Sequence, residues 1–189
     1  MRCHLCLGFS WRPICENCLN TLLIPTPSKR VLEDGLVVYS FYKYSEISKL
    51  LHTKHTYIGA KIFLQLSQHA ILPFLEPFKN QDVFALPIDD HVRSGYSHSA
   101  VLARGISEYV KPKYKALRAK NKFRYSGQKL SLRKKQKRNF KLTCEPNLDV
   151  ILLDDIVTTG NTLMEAKDVC NKVDINVLFA ITLADAKEN

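Results

Sequence analysis

Two apolar runs near the C-terminal end, DVILLDD (149–155) and INVLFAITLA (175–184), flank a stretch with helical spacing of apolar residues over 162–173. Strands that are apolar on both faces are covered on both faces, and a helix between two of them is the crossover that a parallel pair requires. This strand, helix, strand unit limits the fold more than any other feature of the chain. Upstream segments extend the pattern. GLVVYSFYKYS (35–45) is rich in β-branched and aromatic residues and reads as a strand or hairpin, whereas 46–53 and 58–78 have helical spacing. DVFALPID (82–89) reads as a short buried strand ending at a proline, Val101, Leu102, Ile106 and Val110 form a helical stripe within 95–110, and a further strand is expected near 122–125. The alternation predicts an α/β fold, a mostly parallel sheet with helices on both faces.

A chain of 189 residues holds one such domain and a small appendage, but not two large domains. No stretch reaches the roughly 18 uncharged apolar residues of a membrane span. The most apolar region, 58–78, is interrupted by Lys61, Gln65, Gln68, His69 and Glu76. The N-terminus, MRCHLCLGF, has no sustained apolar region of the kind a signal peptide carries, so a cytoplasmic location is expected.

The appendage is visible in the cysteines. Four of the six, Cys3, Cys6, Cys15 and Cys18, are spaced CxxC, eight residues, CxxC. In a reducing compartment paired disulfides are unstable, while four thiolates on two tight turns can surround one Zn²⁺ tetrahedrally. A redox-active CxxC is the rival reading, and His4 could take the place of one cysteine. Cys144 and Cys170 are isolated and read as packing residues. LLIPTPSKR (22–30) has the stiffness of a linker and separates a knuckle over 1–24 from a domain over 25–189.

Charge is spread unevenly. Residues 111–141 hold fourteen Lys/Arg and no acid, so the remaining fourteen Lys/Arg face all eighteen acids and the rest of the chain is net negative by four. Such asymmetry points to a polyanionic partner, with a solvated helix face as the alternative. Tyr114, Phe123, Tyr125 and Phe140 interleave with these cations. Rings beside cations can stack bases while the charges follow phosphates, as single-stranded nucleic acid requires, and Lys122, Arg124, Lys129, Arg133, Lys134, Lys135, Lys137 and Arg138 are the candidate contacts.

The segment ILLDDIVTTGNTL (151–163) carries the clearest chemistry. In open parallel sheets ligands bind beyond the carboxyl ends of strands, where Asp154 and Asp155 are expected. Behind them Gly160 permits close backbone approach, Thr158, Thr159 and Thr162 offer hydroxyls, and the next helix offers free N–H groups with a positive dipole end. Val157 and Asn161 complete the candidate loop. Carboxylates bind hydroxyls or metals and the loop binds an anion, which together describe ribose 5-phosphate. The Walker and dinucleotide patterns are absent.

This segment resembles the signature of the type I phosphoribosyltransferases, a hydrophobic strand, two acids and a T-T-G-x-T loop. The resemblance implies that Asp154 and Asp155 hold the ribose hydroxyls of phosphoribosyl pyrophosphate, that 158–162 holds its 5'-phosphate, that Mg²⁺ accompanies the ligand, and that the fold is that of these enzymes. The order of features is similar to that of the ComF family of late-competence proteins: four N-terminal cysteines in CxxC pairs, LLHTKHTYIGAKI with Lys54, a strand ending in proline, RYSGQKLSLRKKQKRNF and then the acid-loop segment. That resemblance spans nearly the whole chain. It implies a role in bringing incoming single-stranded DNA to recombination, with other competence and recombination proteins as partners, while the resemblance to type I phosphoribosyltransferases implies a loop over the active site near the basic segment. An active transferase passing ribose 5-phosphate to an acceptor is the alternative. One stretch departs from the family: residues 87–98, PIDDHVRSGYSH, place Ser94 where arginine is usual before glycine, and Asp89 and Asp90 where cations are expected. Mg²⁺ would offset those anions, and Arg93 stands one position early. Lys54, His91 and His98 are weaker candidates.

Overall fold

The computed structural model describes residues 1–89, 96–120 and 138–187. Helix α1 (Glu16–Leu22) is followed by β1 (Ser28–Val31), β2 (Val37–Lys43), α2 (Tyr44–Leu51), a 3₁₀ turn (His52–His55) and α3 (Tyr57–Leu66). After a π turn (Ser67–Ile71) and α4 (Leu72–Phe74) come β3 (Val83–Asp89), α5 (His98–Gly105), β4 (Lys111–Pro112), β5 (Leu117–Ala119) and β6 (Phe140–Leu142). The chain closes with β7 (Asp149–Val157), α6 (Asn161–Asn171) and β8 (Asn176–Asp185).

Among the described residues the strands form one sheet in the order β1-β2-β8-β7-β3-β5-β6, with β4 also pairing β3. The pairs from β2 to β5 are parallel, and the two outer pairs, β1 with β2 and β5 with β6, are antiparallel. The mostly parallel sheet expected from the alternation is therefore present. β7 lies in its interior, and Val150, Ile151, Leu152 and Leu153 are all fully buried. Burial of each is worth on the order of 2 kcal/mol, which explains the unbroken apolar run. Ile151 and Leu153 pack with Phe41, Ile47, Ile62 and Leu102 on the face covered by α2, α3 and α5. Val150 and Leu152 pack with Leu163, Ala166 and Cys170 of α6 on the other face.

Several segments differ from the sequence reading. The helix expected over 58–78 is interrupted, because Pro73 has no N–H to donate and its ring crowds the preceding turn; the chain widens so that Leu72 N–H reaches the Ser67 carbonyl. Helix α5 begins only at His98, where the Ser97 hydroxyl accepts from Ala100 N–H, and ends at Gly105. β3 does not end at Pro87 but continues to Asp89. The stretch read as a linker over 22–30 contributes Ser28, Lys29 and Arg30 to β1, an edge strand paired with β2 around a turn in which Gly35 takes φ +80°. Asp34-Gly35, set between the apolar pairs Val31-Leu32 and Leu36-Val37 with Glu33 before it, is the signal that predicts this hairpin. The strand expected near 122–125 lies outside the described residues. Among the described residues no helix is long and apolar enough to cross a membrane.

Candidate functional site

The connections of the sheet locate a crevice. From β3 the chain passes through α5 toward β5 on one side, and from β7 it passes through α6 to β8 on the other. β3 and β7 are adjacent, so the winding direction reverses between their carboxyl ends, which is where open α/β sheets bind ligands. Asp154 to Val157 are the last residues of β7, at this end of the strand, and 158–162 leads from it into α6.

The two acids are held differently. The Asp154 carboxylate accepts from the Asp155 backbone N–H at 2.8 Å. Asp155 Oδ2 forms an ion pair with Lys54 Nζ at 2.9 Å, the two side chains being 14% and 30% exposed, so each keeps access to solvent. Lys54 sits on the 3₁₀ turn after α2, and that turn is pinned from the other side of the crevice. The Tyr96 hydroxyl donates to the Lys54 carbonyl and, at 3.1 Å, to that of Thr56, while His98 Nε2 contacts the Lys54 carbonyl at 2.7 Å. A Cβ at Gly59 would strike the Thr53 carbonyl and approach the Tyr96 hydroxyl, so only glycine lets α3 start this close to the turn. Burial pushes the His98 pKa down, against the pull of nearby Asp155. Lys54 and His98, weak candidates in the sequence, are thus brought to the acid pair.

In the loop, Thr158 and Thr159 are exposed, Asn161 and Thr162 half-buried, and Gly160 buried with φ +84°, the left-handed region that favours glycine. Asn161 N–H reaches Thr159 Oγ1 at 3.5 Å. Val157 is 1% exposed with its side chain in the core, so only its backbone is available to a ligand. Arg30 enters this site from β1. Its guanidinium donates through Nη1 to Asp185 Oδ1 and through Nη2 to the Thr158 carbonyl, both at 2.9 Å. The linker reading of 22–30 overlooked this residue. Asp90, His91 and Arg93 lie outside the described residues.

Of the candidate nucleic-acid contacts, Lys122, Arg124, Lys129, Arg133, Lys134, Lys135 and Lys137 lie outside the described residues. Arg138 is described, and its backbone N–H and that of Asn139 donate to the Glu165 carboxylate of α6 at 2.8 and 2.7 Å. The ends of the segment are held by β5 and β6, where Ala119 pairs with Phe140. Since β5 runs parallel to β3, this stem stands at the same carboxyl edge as the crevice. Phe140 is 7% exposed and belongs to the core, whereas Tyr114 is 47% exposed. Phe123 and Tyr125 are outside the described residues.

The Sγ atoms of Cys3, Cys6, Cys15 and Cys18 lie within 4.8 Å of one another, a group that could hold a metal such as zinc. Cys3 N–H bonds to the Gly8 carbonyl and Leu7 takes φ 61°, closing the first CxxC turn; Cys15 caps α1, which carries Cys18. Leu5 N–H and Cys15 N–H both point at Cys3 Sγ, at 3.5 and 3.3 Å. Burial acts to raise the Cys3 pKa, but the backbone donors of Cys15, Cys6 and Leu5, with the Cys15 side chain, prevail and bring it down to about 6, while burial and the three neighbouring sulfurs push Cys18 up to about 12. Soft sulfur ligands with N–H donors to a thiolate fit a structural Zn²⁺. His4 is not in the cluster. Beside it, Phe9 and Trp11 are 74% and 86% exposed, with ring centroids 5.2 Å apart, a pair that the sequence reading did not single out. Cys170 is buried against α6's neighbours and Cys144 packs on the same cluster, as packing residues do.

No family model matches the chain, and no curated protein matches it. Among solved structures it is similar to an adenine phosphoribosyltransferase, with 14% identity, TM-score 0.46, and coverage of 90% of this chain and 89% of that one. It is similar to orotate phosphoribosyltransferase from Aeropyrum pernix, with 14% identity, TM-score 0.42 and coverage of 92% and 82%. It is also similar to a hypoxanthine phosphoribosyltransferase from Staphylococcus aureus, with 14% identity and TM-score 0.43, over 65% of this chain and only 62% of the length of that enzyme.

Proposed function

We propose that the chain binds phosphoribosyl pyrophosphate with Mg²⁺ in the crevice between β3 and β7, and that it handles incoming single-stranded DNA in the cytoplasm during natural transformation. The observation that carries the first part is the placement of Asp154, Asp155 and the loop 158–162 together at the reversal point of the sheet. In this reading the two carboxylates accept from the ribose 2' and 3' hydroxyls, and the loop with the start of α6 receives the 5'-phosphate. Mg²⁺ would be shared between pyrophosphate and carboxylate oxygens, as a hard dication prefers. Isothermal titration with phosphoribosyl pyrophosphate, with and without Mg²⁺, tests it; no heat of binding for any phosphorylated pentose would remove the reading.

The second part rests on the charge of 111–141, the resemblance to the ComF family, and the knuckle over 1–24, read as a Zn²⁺ unit set beside the domain over 25–189. Phe9 and Trp11 stand next to Arg2 and Arg12 on that knuckle and supply stacking surfaces with cations at their side. Affinity for single-stranded DNA is expected to fall with salt by about 0.7 log units per log unit for each phosphate contacted. A flat response would take the basic segment out of DNA binding.

One observation favours an active transferase as a second reading: the stem of the basic segment at the carboxyl edge beside β3, from which cations can reach a pyrophosphate. There the C1'–O bond to pyrophosphate would break as the acceptor bonds to C1', the acceptor's proton passing to solvent, with cations stabilising the departing charge. Release of pyrophosphate in the presence of candidate acceptors is the measurement that separates transfer from binding alone.

A further inference from the structure

We infer that the β1–β2 hairpin is a clamp on the phosphate loop, with Arg30 and Leu32 as positioning residues that hold 158–160 in its anion-binding shape. The inference rests on the reading of 158–162 as the holder of a ligand's phosphate.

Three contacts make the clamp, and each ties a different part of the hairpin to a different part of the loop or its helix. The first is the Arg30 fork. Asp185 and Val157 are register partners at the ends of β8 and β7, so one guanidinium bridges the tips of two adjacent strands by taking Asp185 Oδ1 and the Thr158 carbonyl. A planar fork with two donors fixes both acceptors at once, which a single ammonium group does not. In a trans peptide the carbonyl and the following N–H point in opposite directions. With the Thr158 carbonyl turned to Arg30, the Thr159 N–H is directed away from the hairpin, and the carbonyl is kept from facing a phosphate.

The second contact is apolar. Leu32, 8% exposed, lies so close over Gly160 that a Cβ there would come within 2.6 Å of Leu32 Cδ1. Leu32 therefore closes the side of the loop opposite to a ligand and leaves room only for glycine at φ +84°. The third is at the hairpin turn, where Lys167 Nζ of α6 donates to the Asp34 carbonyl at 2.9 Å and pairs with Asp34 Oδ2 at 3.3 Å. Hairpin, loop and helix are thus tied to one another by polar and apolar contacts. Arg30 acts here through the Thr158 peptide, and its own charge is matched by Asp185.

The test uses the full chain and the variants Arg30→Ala, Arg30→Lys and Leu32→Ala, with ribose 5-phosphate as the probe. Calorimetry gives the affinity, and amide hydrogen exchange reports the ligand-free loop. Arg30→Ala and Arg30→Lys are both expected to weaken ribose 5-phosphate about tenfold, the loss typical of one charge-assisted hydrogen bond, and to speed exchange in 158–162 while β7 and β8 exchange as before. Leu32→Ala is expected to act in the same direction. If Arg30→Lys binds and exchanges like the parent chain, only charge matters and the clamp is wrong. If exchange rises equally across β7, β8 and the loop, Arg30 is a general stabiliser and the clamp is equally wrong. A parent chain that binds ribose 5-phosphate with all variants unchanged removes the clamp alone, whereas a parent chain with no affinity removes the phosphate-loop reading and the clamp with it.

Discussion

The knuckle and the crevice are assembled over opposite ranges of sequence. The four sulfurs of the knuckle come from Cys3 to Cys18, and its turns are closed by short-range bonds such as Leu7 N–H to the Cys3 carbonyl. The crevice depends on contacts that join Lys54 to Asp155, 101 residues away, and Arg30 to Thr158 and Asp185, 128 and 155 residues away. A site of the first kind needs a ligand to hold local chain together, while a site of the second kind is held by the sheet before any ligand arrives. The knuckle is tied to the domain that carries the crevice by several bonds, from Tyr42 and His69 to the Leu23 carbonyl and from α3 to Ile14. Gln65 of α3 accepts from Ile14 N–H at 3.0 Å and donates back to the Ile14 carbonyl at 2.7 Å, and Ile14, Cys18 and Leu19 share the core face with Ile62 and Leu66.

The largest expected effect breaks the knuckle. Replacing Cys3 and Cys18 together by serine is expected to abolish bound zinc and lower the melting midpoint by more than about 10 °C, because structural zinc contributes on the order of 10 kcal/mol to its ligands' fold. Zinc content after dialysis and a thermal scan measure both. An unchanged midpoint would mean that the sheet does not depend on the appendage, despite the Gln65 bridge. Next in size is the crevice itself. Asp154→Ala with Asp155→Ala should cost roughly a hundredfold or more in phosphoribosyl pyrophosphate affinity, since each carboxylate-to-hydroxyl bond is worth about 1.5–3 kcal/mol. Its far-ultraviolet dichroism should stay that of the parent, because the strand is held by Val150 to Leu153 rather than by the acids. Equal affinity in the double variant would place any phosphoribosyl site elsewhere.

That contrast also explains what could be read from the sequence. Period and composition foretell the parallel sheet, because β7 over 150–153 and β8 over 180–184 are buried on both faces and read as near-continuous apolar runs. The CxxC pairs foretell the cluster, because four ligands within one short segment need no tertiary information. The acid-loop segment carries residue types that suit the proposed sugar-phosphate ligand, and its place at the carboxyl end of β7 follows from strand order. By contrast, Lys54 and Arg30 could not be assigned, since nothing local to HTKH or SKR indicates which acid or carbonyl will be met more than a hundred residues later. Arg30 was further hidden by two prolines that look like a linker, although Asp34-Gly35 marked a hairpin. Pro73 was in plain view, and its effect on the helix after Leu66 follows from the missing N–H.

A smaller effect sharpens the comparison at Lys54. Its partner Asp155 is mostly but not fully buried, so the pair is screened more than an interior one and less than a surface one. Lys54→Met and Asp155→Asn, singly and together, are expected to give a coupling of about 1 kcal/mol in urea unfolding. Ligand affinity provides the second axis. If Lys54→Met leaves Asp155 free to swing, phosphoribosyl pyrophosphate binding falls more than stability does. Parallel losses would make Lys54 a strut for the 3₁₀ turn and nothing more.

The smallest effect concerns His98, which faces Asp155, Lys54, His55 and Tyr96. Burial is the main cause that lowers its pKa from the ordinary 6.5, with Asp155 opposing and Lys54 and His55 adding to the shift. A histidine lowered on folding binds fewer protons in the native state than in the unfolded one at pH values below 6.5, so stability is complete above that pH and declines as the pH falls toward the native pKa. Protonation would also set a cation beside Lys54 and strain the turn that presents it. Urea midpoints measured from pH 7.5 to 5 should therefore drop for the parent chain and drop less for His98→Asn. If the two curves stay parallel, the decline belongs to other groups and the 3₁₀ turn is insensitive to the charge of His98. If they converge at low pH while Asp155→Asn steepens the parent's decline, the carboxylate is what lets the turn tolerate a charged ring, and Asp155 then has a structural duty toward the Lys54 turn beside its proposed role toward a ligand.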